Sequence, residues 1–145
     1  MNKTLTDIFE VGSVLKTLVL CVLTIGLYLI YKLYRFSKQI NKHTTLKIPN
    51  YFIVITVSLF SISLGSLING VVNIHDLPIS QSSICIHVVS SVFDVMWIIM
   101  VRNRINKISA SNKGDILWLN PFLTSIFHVI YIQYKINQSA VKATL

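Results

Sequence analysis

The sequence predicts an all-α integral membrane protein, a bundle of four transmembrane helices. Three observations carry that expectation. Of 145 residues, 53% are hydrophobic and 12% are charged, against about 25% charged in an ordinary soluble domain. The apolar residues gather into four runs, each near the ~20 residues that cross ~30 Å of hydrocarbon as a helix. The basic residues fall in the gaps between those runs. A water-soluble core of this size could not hide so much apolar surface, whereas lipid can.

The runs are about Val14–Tyr34, Pro49–Val72, Ile84–Val101 and Ile116–Tyr134. In lipid every backbone polar group must be satisfied internally, and these runs lack the period-two alternation of a barrel, so helices are expected. No Pro/Gly/Ser-rich linker divides the chain, which reads as a single domain over 1–145. Ahead of the first run, Thr4–Lys16 is expected as a short interfacial helix. The first run is not expected to be a signal peptide, because Asp7 and Glu10 dilute its positive flank. An aromatic-basic stretch also follows it in place of a cleavage site.

The first gap, RFSKQINKHTTLKIPN, ends near Pro49, which a helix start tolerates. The second, NIHDLPISQSS, contains Asp76 and Pro78 but no lysine or arginine. The third, RNRINKISASNKGD, is basic again, and Asp115 is expected to cap the fourth helix. Pro121 near the start of the fourth run, with Lys135 and Lys142 in the tail, leaves an alternative: three spans plus a re-entrant or interfacial fourth helix.

Of thirteen Lys and Arg residues, five sit in or near the first gap (Lys32, Arg35, Lys38, Lys42, Lys47) and four in the third (Arg102, Arg104, Lys107, Lys113). By the positive-inside rule, loops 35–48 and 102–115 face the cytoplasm and both termini lie outside. The net charge of +8 then meets anionic lipid headgroups, not nucleic acid. A bacterial inner membrane fits this pattern.

The third run carries Asp94, the acidic residue deepest in any span. A carboxylate at mid-membrane costs about 2.5–3.5 kcal/mol on insertion scales, so it should face the bundle interior or water. His87 lies seven residues earlier on nearly the same face, with Ser83, Ser90 and Ser91 close by. His128, four residues after Thr124 in the fourth run, and Asn69 in the second complete a candidate intramembrane polar site, an ion pathway or a subunit contact. Ser61, Gly65 and Asn69 share one face and read as a helix-packing seam. His43 and His75 fall in different gaps and no metal-ligand spacing occurs, so neither metal nor cofactor is expected. Cys21 and Cys85 both lie within apolar runs and read as packing residues. No nucleophile elbow, phosphate loop or paired carboxylates point to an enzyme.

The segments also echo one another. Leu23–Arg35 (LTIGLYLIYKLYR) and Leu123–Lys135 (LTSIFHVIYIQYK) share several positions, and Ile-Asn follows a basic residue closely at Ile40-Asn41, Ile105-Asn106 and Ile136-Asn137. Two readings stand. One is convergence on aromatic, basic and polar interface residues, the other an old duplication. Thr24-Ile25-Gly26-Leu27-Tyr28, with Tyr31, Tyr34 and Arg35, resembles the T-x-G-x-Y-x-x-Y…R stretch of a bacterial family of small multi-span membrane proteins of unknown function. The Gln133…Asn137 ending is similar to that family's Q-x-x-x-N. The resemblance covers about a quarter of the chain, implies a fold and implies no activity.

The expected function is non-enzymatic: a subunit, anchor, sensor or immunity factor that acts by helix–helix interaction, as a homo-oligomer or with a membrane-protein partner. The alternative is an oligomeric ion channel or small transporter that uses the stripe around Asp94.

Overall fold

The computed structural model describes residues 5–72 and 81–143, which are mostly helical with no strand among them. The helices are α1 (Leu5–Ile8), α2 (Val14–Leu23), α3 (Leu27–His43), α4 (Asn50–Val72), α5 (Gln81–Ile108) and α6 (Pro121–Ala143). They fall into two compact units. The first comprises Met1–Ile48 with Ile98–Leu145, and the second Pro49–Trp97.

The run expected as one span over Val14–Tyr34 is broken in the middle. α2 ends at Leu23 and α3 begins at Leu27, with Gly26 at φ 84° between them. Its amide donates to the Cys21 carbonyl at 2.9 Å, closing α2 with the left-handed residue that glycine adopts at least cost. Thr24 works on both sides of the break. Its hydroxyl donates to Leu20 O at 2.7 Å and accepts from Tyr28 N at 2.9 Å, so it seals the end of α2 and caps the start of α3. The Thr-x-Gly-x-Tyr stretch is therefore a helix-breaking device. The interfacial helix expected over Thr4–Lys16 is likewise two pieces, the four-residue α1 and the start of α2, which Ser13 caps by accepting from Lys16 N.

α3 and α5 run further than the apolar runs that suggested them, into stretches expected as loops: α3 reaches His43 and α5 reaches Ile108. The fourth helix is displaced. It starts at Pro121, not Ile116, and continues to Ala143. Asn120 caps it, accepting from Phe122 N at 2.9 Å. Asp115 instead accepts from Asn112 N at 2.6 Å, within the preceding turn. At His128 the backbone leaves helical geometry (φ 51°, ψ −133°) and kinks α6.

The core of the first unit is built on one pattern used three times. Leu33, Phe36 and Ile40 of α3 are buried, as are Ile98, Val101 and Ile105 of α5 and Val129, Ile132 and Ile136 of α6. Each triplet has the same helical spacing, and each ends on an Ile-Asn pair. The asparagines then do the same work. Asn41 Nδ2 donates to Ile48 O at 2.8 Å and its Oδ1 accepts from Ile48 N at 2.6 Å. Asn106 pairs with Leu119 in the same way, at 3.2 and 2.8 Å. Asn137 pairs with Gly12, at 2.7 and 3.3 Å.

An amide side chain matches a peptide in donor and acceptor, so each asparagine satisfies both backbone groups of one residue. The three clamped residues each stand two positions before the first residue of a helix: α2 after Gly12, α4 after Ile48, α6 after Leu119. Ile48 and Leu119 bury their side chains. Gly12 has none, and a Cβ there would meet the Gln133 side chain at ordinary contact, 3.6–3.8 Å. Gln133 occupies that side of the clamp and donates to Glu10 O at 3.1 Å. The echo between Leu23–Arg35 and Leu123–Lys135 runs in a different register from this correspondence, which sets Asn41 against Asn137.

In the second unit, α4 and α5 meet through a stacked Phe52–Phe93 pair, with ring centroids 5.7 Å apart. Ser63 Oγ also lies 2.6 Å from His87 Nδ1. Among the described residues, Asn50–Val72 and Ser83–Ile108 are the helices long and apolar enough to cross a membrane. Their most apolar 18-residue stretches have mean hydropathies of 2.1 and 2.2.

Candidate functional site

The basic residues do not group as the sequence suggested. Lys47 leaves its neighbours and joins Arg102, Arg104, Lys107 and Lys113 around a cleft of about 580 Å³. The rest of the first expected group divides off: Arg35, Lys38 and Lys42 line a separate recess of about 470 Å³ with Asp7 and Glu10 of the amino-terminal segment. Both recesses lie within the first unit.

The two arginines form a fixed floor to the cleft. Arg104 donates from Nε to Leu46 O at 3.1 Å, from Nη2 to Lys47 O at 3.0 Å and from Nη1 to Met100 O at 3.0 Å. Arg102 donates from Nε to Leu119 O at 2.7 Å, and its guanidinium lies over the Trp118 ring, 5.3 Å from the centroid. Both are half-buried, whereas Lys47, Lys107 and Lys113 are exposed. No acidic side chain lines the cleft.

In the other recess, Arg35 Nη2 bonds Glu10 Oε1 at 2.7 Å. That hydrogen bond holds the guanidinium above its ordinary pKa. Phe9 meets Phe36 edge-on, 5.7 Å between centroids, and α1 packs on α3 and α6. The amino-terminal segment therefore shares one end of the unit with Arg35, Lys38 and Lys42. Glu10 is bound to α3 through Arg35, and Gly12 to α6 through Asn137. The carboxy-terminal half of α6 belongs to the same end, where Lys135 Nζ bonds the Ile116 carbonyl. Burial pushes the Lys135 pKa down.

The residues expected as an intramembrane polar site are divided between the two units, His128 in the first and Asn69, His87, Ser91 and Asp94 in the second. His87 bonds Ser63, as above. Ser90 is buried and Asp94 half-buried on α5, but Ser91 is exposed and returns its hydroxyl to His87 O at 2.8 Å, on its own helix. His128 is buried at the kink of α6 in the first unit, next to the buried turn held by Thr124, whose hydroxyl donates to Asn120 O at 2.6 Å.

On α4, Ser61, Gly65 and Asn69 are exposed. Ser61 bonds Val57 O at 2.9 Å, and a Cβ on Gly65 would meet nothing within 4 Å. Cys21 is buried and Cys85 exposed, both as free thiols. The non-basic connection with His75, Asp76 and Pro78 lies outside the described residues.

Sequence reasoning passed over Trp118 and took the Ile-Asn pairs as polar stops. Their recurrence was the available signal for the clamps. The chain matches no protein-family model, no curated protein and no solved structure.

Proposed function

We propose that the protein is a non-enzymatic integral membrane protein that acts by binding, anchored by α4 and α5 as a two-span hairpin. The observation that carries this reading is the exposure of those helices. Only 11% and 22% of their most apolar stretches are buried. A soluble core helix of that hydropathy would be mostly covered, and about 25 cal/mol per Å² favours removing such surface from water. Neither helix lies at the amino terminus, where a signal sequence would.

Two shorter apolar surfaces extend the reading. α2 exposes Leu15, Val19, Val22 and Leu23, and the first turns of α6 expose Phe122, Ile126 and Phe127. α2 has ten residues, about 15 Å of helix, which reaches half-way into hydrocarbon. These surfaces enter the bilayer without crossing it, in place of the first and fourth spans of a four-helix membrane bundle. The basic segments, the amino-terminal segment and the end of α6 share the headgroup face, cytoplasmic by the positive-inside rule.

The exposed face of Ser61, Gly65 and Asn69 suits close approach by a partner helix or a second copy. The His87–Ser63 bond supports a role for the polar stripe in holding α4 to α5 over one in conducting ions.

The test is alkaline carbonate extraction with flotation, combined with topology reporters. The chain should stay with the membrane, and a carboxy-terminal reporter should read on the same side as one placed at Lys107. Release into the carbonate supernatant sinks the membrane reading. Reporters on opposite sides sink the two-span topology.

A further inference from the structure

We infer that the cleft framed by Lys47, Lys107 and Lys113 is a binding site for a phosphate-bearing group. Five cationic side chains surround it and no carboxylate does. The other recess is the internal contrast, since Arg35, Lys38 and Lys42 share its lining with Asp7 and Glu10 and the chain itself offsets most of their charge. Arg102 and Arg104 are held by carbonyls before any ligand arrives, so the positive floor needs no reorganisation. The three exposed lysines supply mobile donors around it.

A volume of about 580 Å³ falls in the range of small-ligand pockets. A phosphate monoester brings about −1.5 to −2 charge and three acceptor oxygens, which suits this many converging cations better than a single carboxylate does. Trp118, the aromatic group in the lining, has Arg102 over one face of its ring. The site stands on the cleft geometry, and the source of the phosphate, lipid headgroup or soluble anion, rests on the membrane reading above.

The full chain in neutral detergent is titrated with dioctanoyl phosphatidic acid, dioctanoyl phosphatidylcholine and inorganic phosphate, following native mass spectra and thermal stability. Phosphatidic acid is expected to bind and stabilise. K107Q/K113Q should weaken it by about tenfold or more, as lost charge-assisted hydrogen bonds do. K107R/K113R should restore binding, and K38Q/K42Q should leave it unchanged. Equal binding of inorganic phosphate, with the same lysine dependence, supports the site and assigns it to a soluble anion. Phosphatidylcholine binding as well as phosphatidic acid, affinity indifferent to K107Q/K113Q, or no phosphate binding at all overturns the proposal. A chain that carbonate releases but that still binds phosphate through Lys107 and Lys113 would sink the membrane reading and leave this site standing.

Discussion

Asn137 holds Gly12 by both of its backbone groups, donating to the Gly12 carbonyl at 2.7 Å and accepting from its amide at 3.3 Å. The bond pair joins positions 125 residues apart and ties the start of the chain to its last helix. The local pairs Asn41–Ile48 and Asn106–Leu119 repeat it, so the ends of the first unit are closed by the same chemistry that closes its turns. A second feature recurs with it. Arg104 and Lys135, each two residues before a clamping asparagine, bond carbonyls of the segment that the preceding asparagine holds.

Asn137→Ala should release the amino-terminal segment. Two backbone groups lose their partner, at about 1–3 kcal/mol for each one left buried. The expected result is a fall in thermal midpoint together with proteolytic cleavage ahead of Ser13. Unchanged protease resistance would show that α1 packing alone holds the segment.

Asn106→Asp should be worse than Asn106→Ala. The carboxylate keeps the acceptor for Leu119 N but turns an oxygen toward the Leu119 carbonyl that Nδ2 now meets at 3.2 Å. Asn106 is buried, so that repulsion is poorly screened. Denaturant midpoints of the two variants compared with wild type provide the measurement.

Gly26→Ala should cost about 1–2 kcal/mol through the left-handed backbone alone, because the glycine sits at φ 84°. Thr24→Val should cost a similar amount by removing both the Leu20 and Tyr28 bonds. A continuous helix through 14–43, with raised helicity and no loss of stability in either variant, would contradict the turn.

Arg35→Gln should matter little, although the pair is short. Its two side chains are 37% and 69% exposed, and such surface pairs contribute about 0.2–1 kcal/mol. Stability of the wild type should fall slightly with added salt, and that dependence should shrink in the variant.

Asp94→Asn should leave the folded chain intact and, under the binding reading, change no ion flux in proteoliposomes. Flux in wild type that the substitution abolishes would revive the channel alternative.

Helical class was legible in the runs themselves, and α4 lies within about a residue of its expected limits. The misplacements have local causes. The first run looked continuous because its hydropathy does not drop at Thr24-Ile25-Gly26, where the positive φ of Ile25 and Gly26 and one threonine hydroxyl make the break. The fourth run looked like a helix from Ile116 because residues 116–119 are apolar, yet Leu119 is held as a clamped backbone pair by Asn106 and the helix waits for Asn120 and Pro121. The site was less legible, because charge counting assigns Lys47 to its sequence neighbours and the Arg104 bonds to Leu46 O and Lys47 O carry that segment to α5.

By itself the sequence determined the all-helical class, the excess of apolar surface and the basic character of the segments between the runs, since those follow from residue type and spacing. Only the tertiary structure decided which cations share a cleft, which face of the first unit holds the amino-terminal segment, and that three Ile-Asn pairs are one device. Those outcomes depend on hydrogen bonds between residues distant in the chain. Their partners are backbone groups, and a backbone amide or carbonyl looks the same at every position of a sequence.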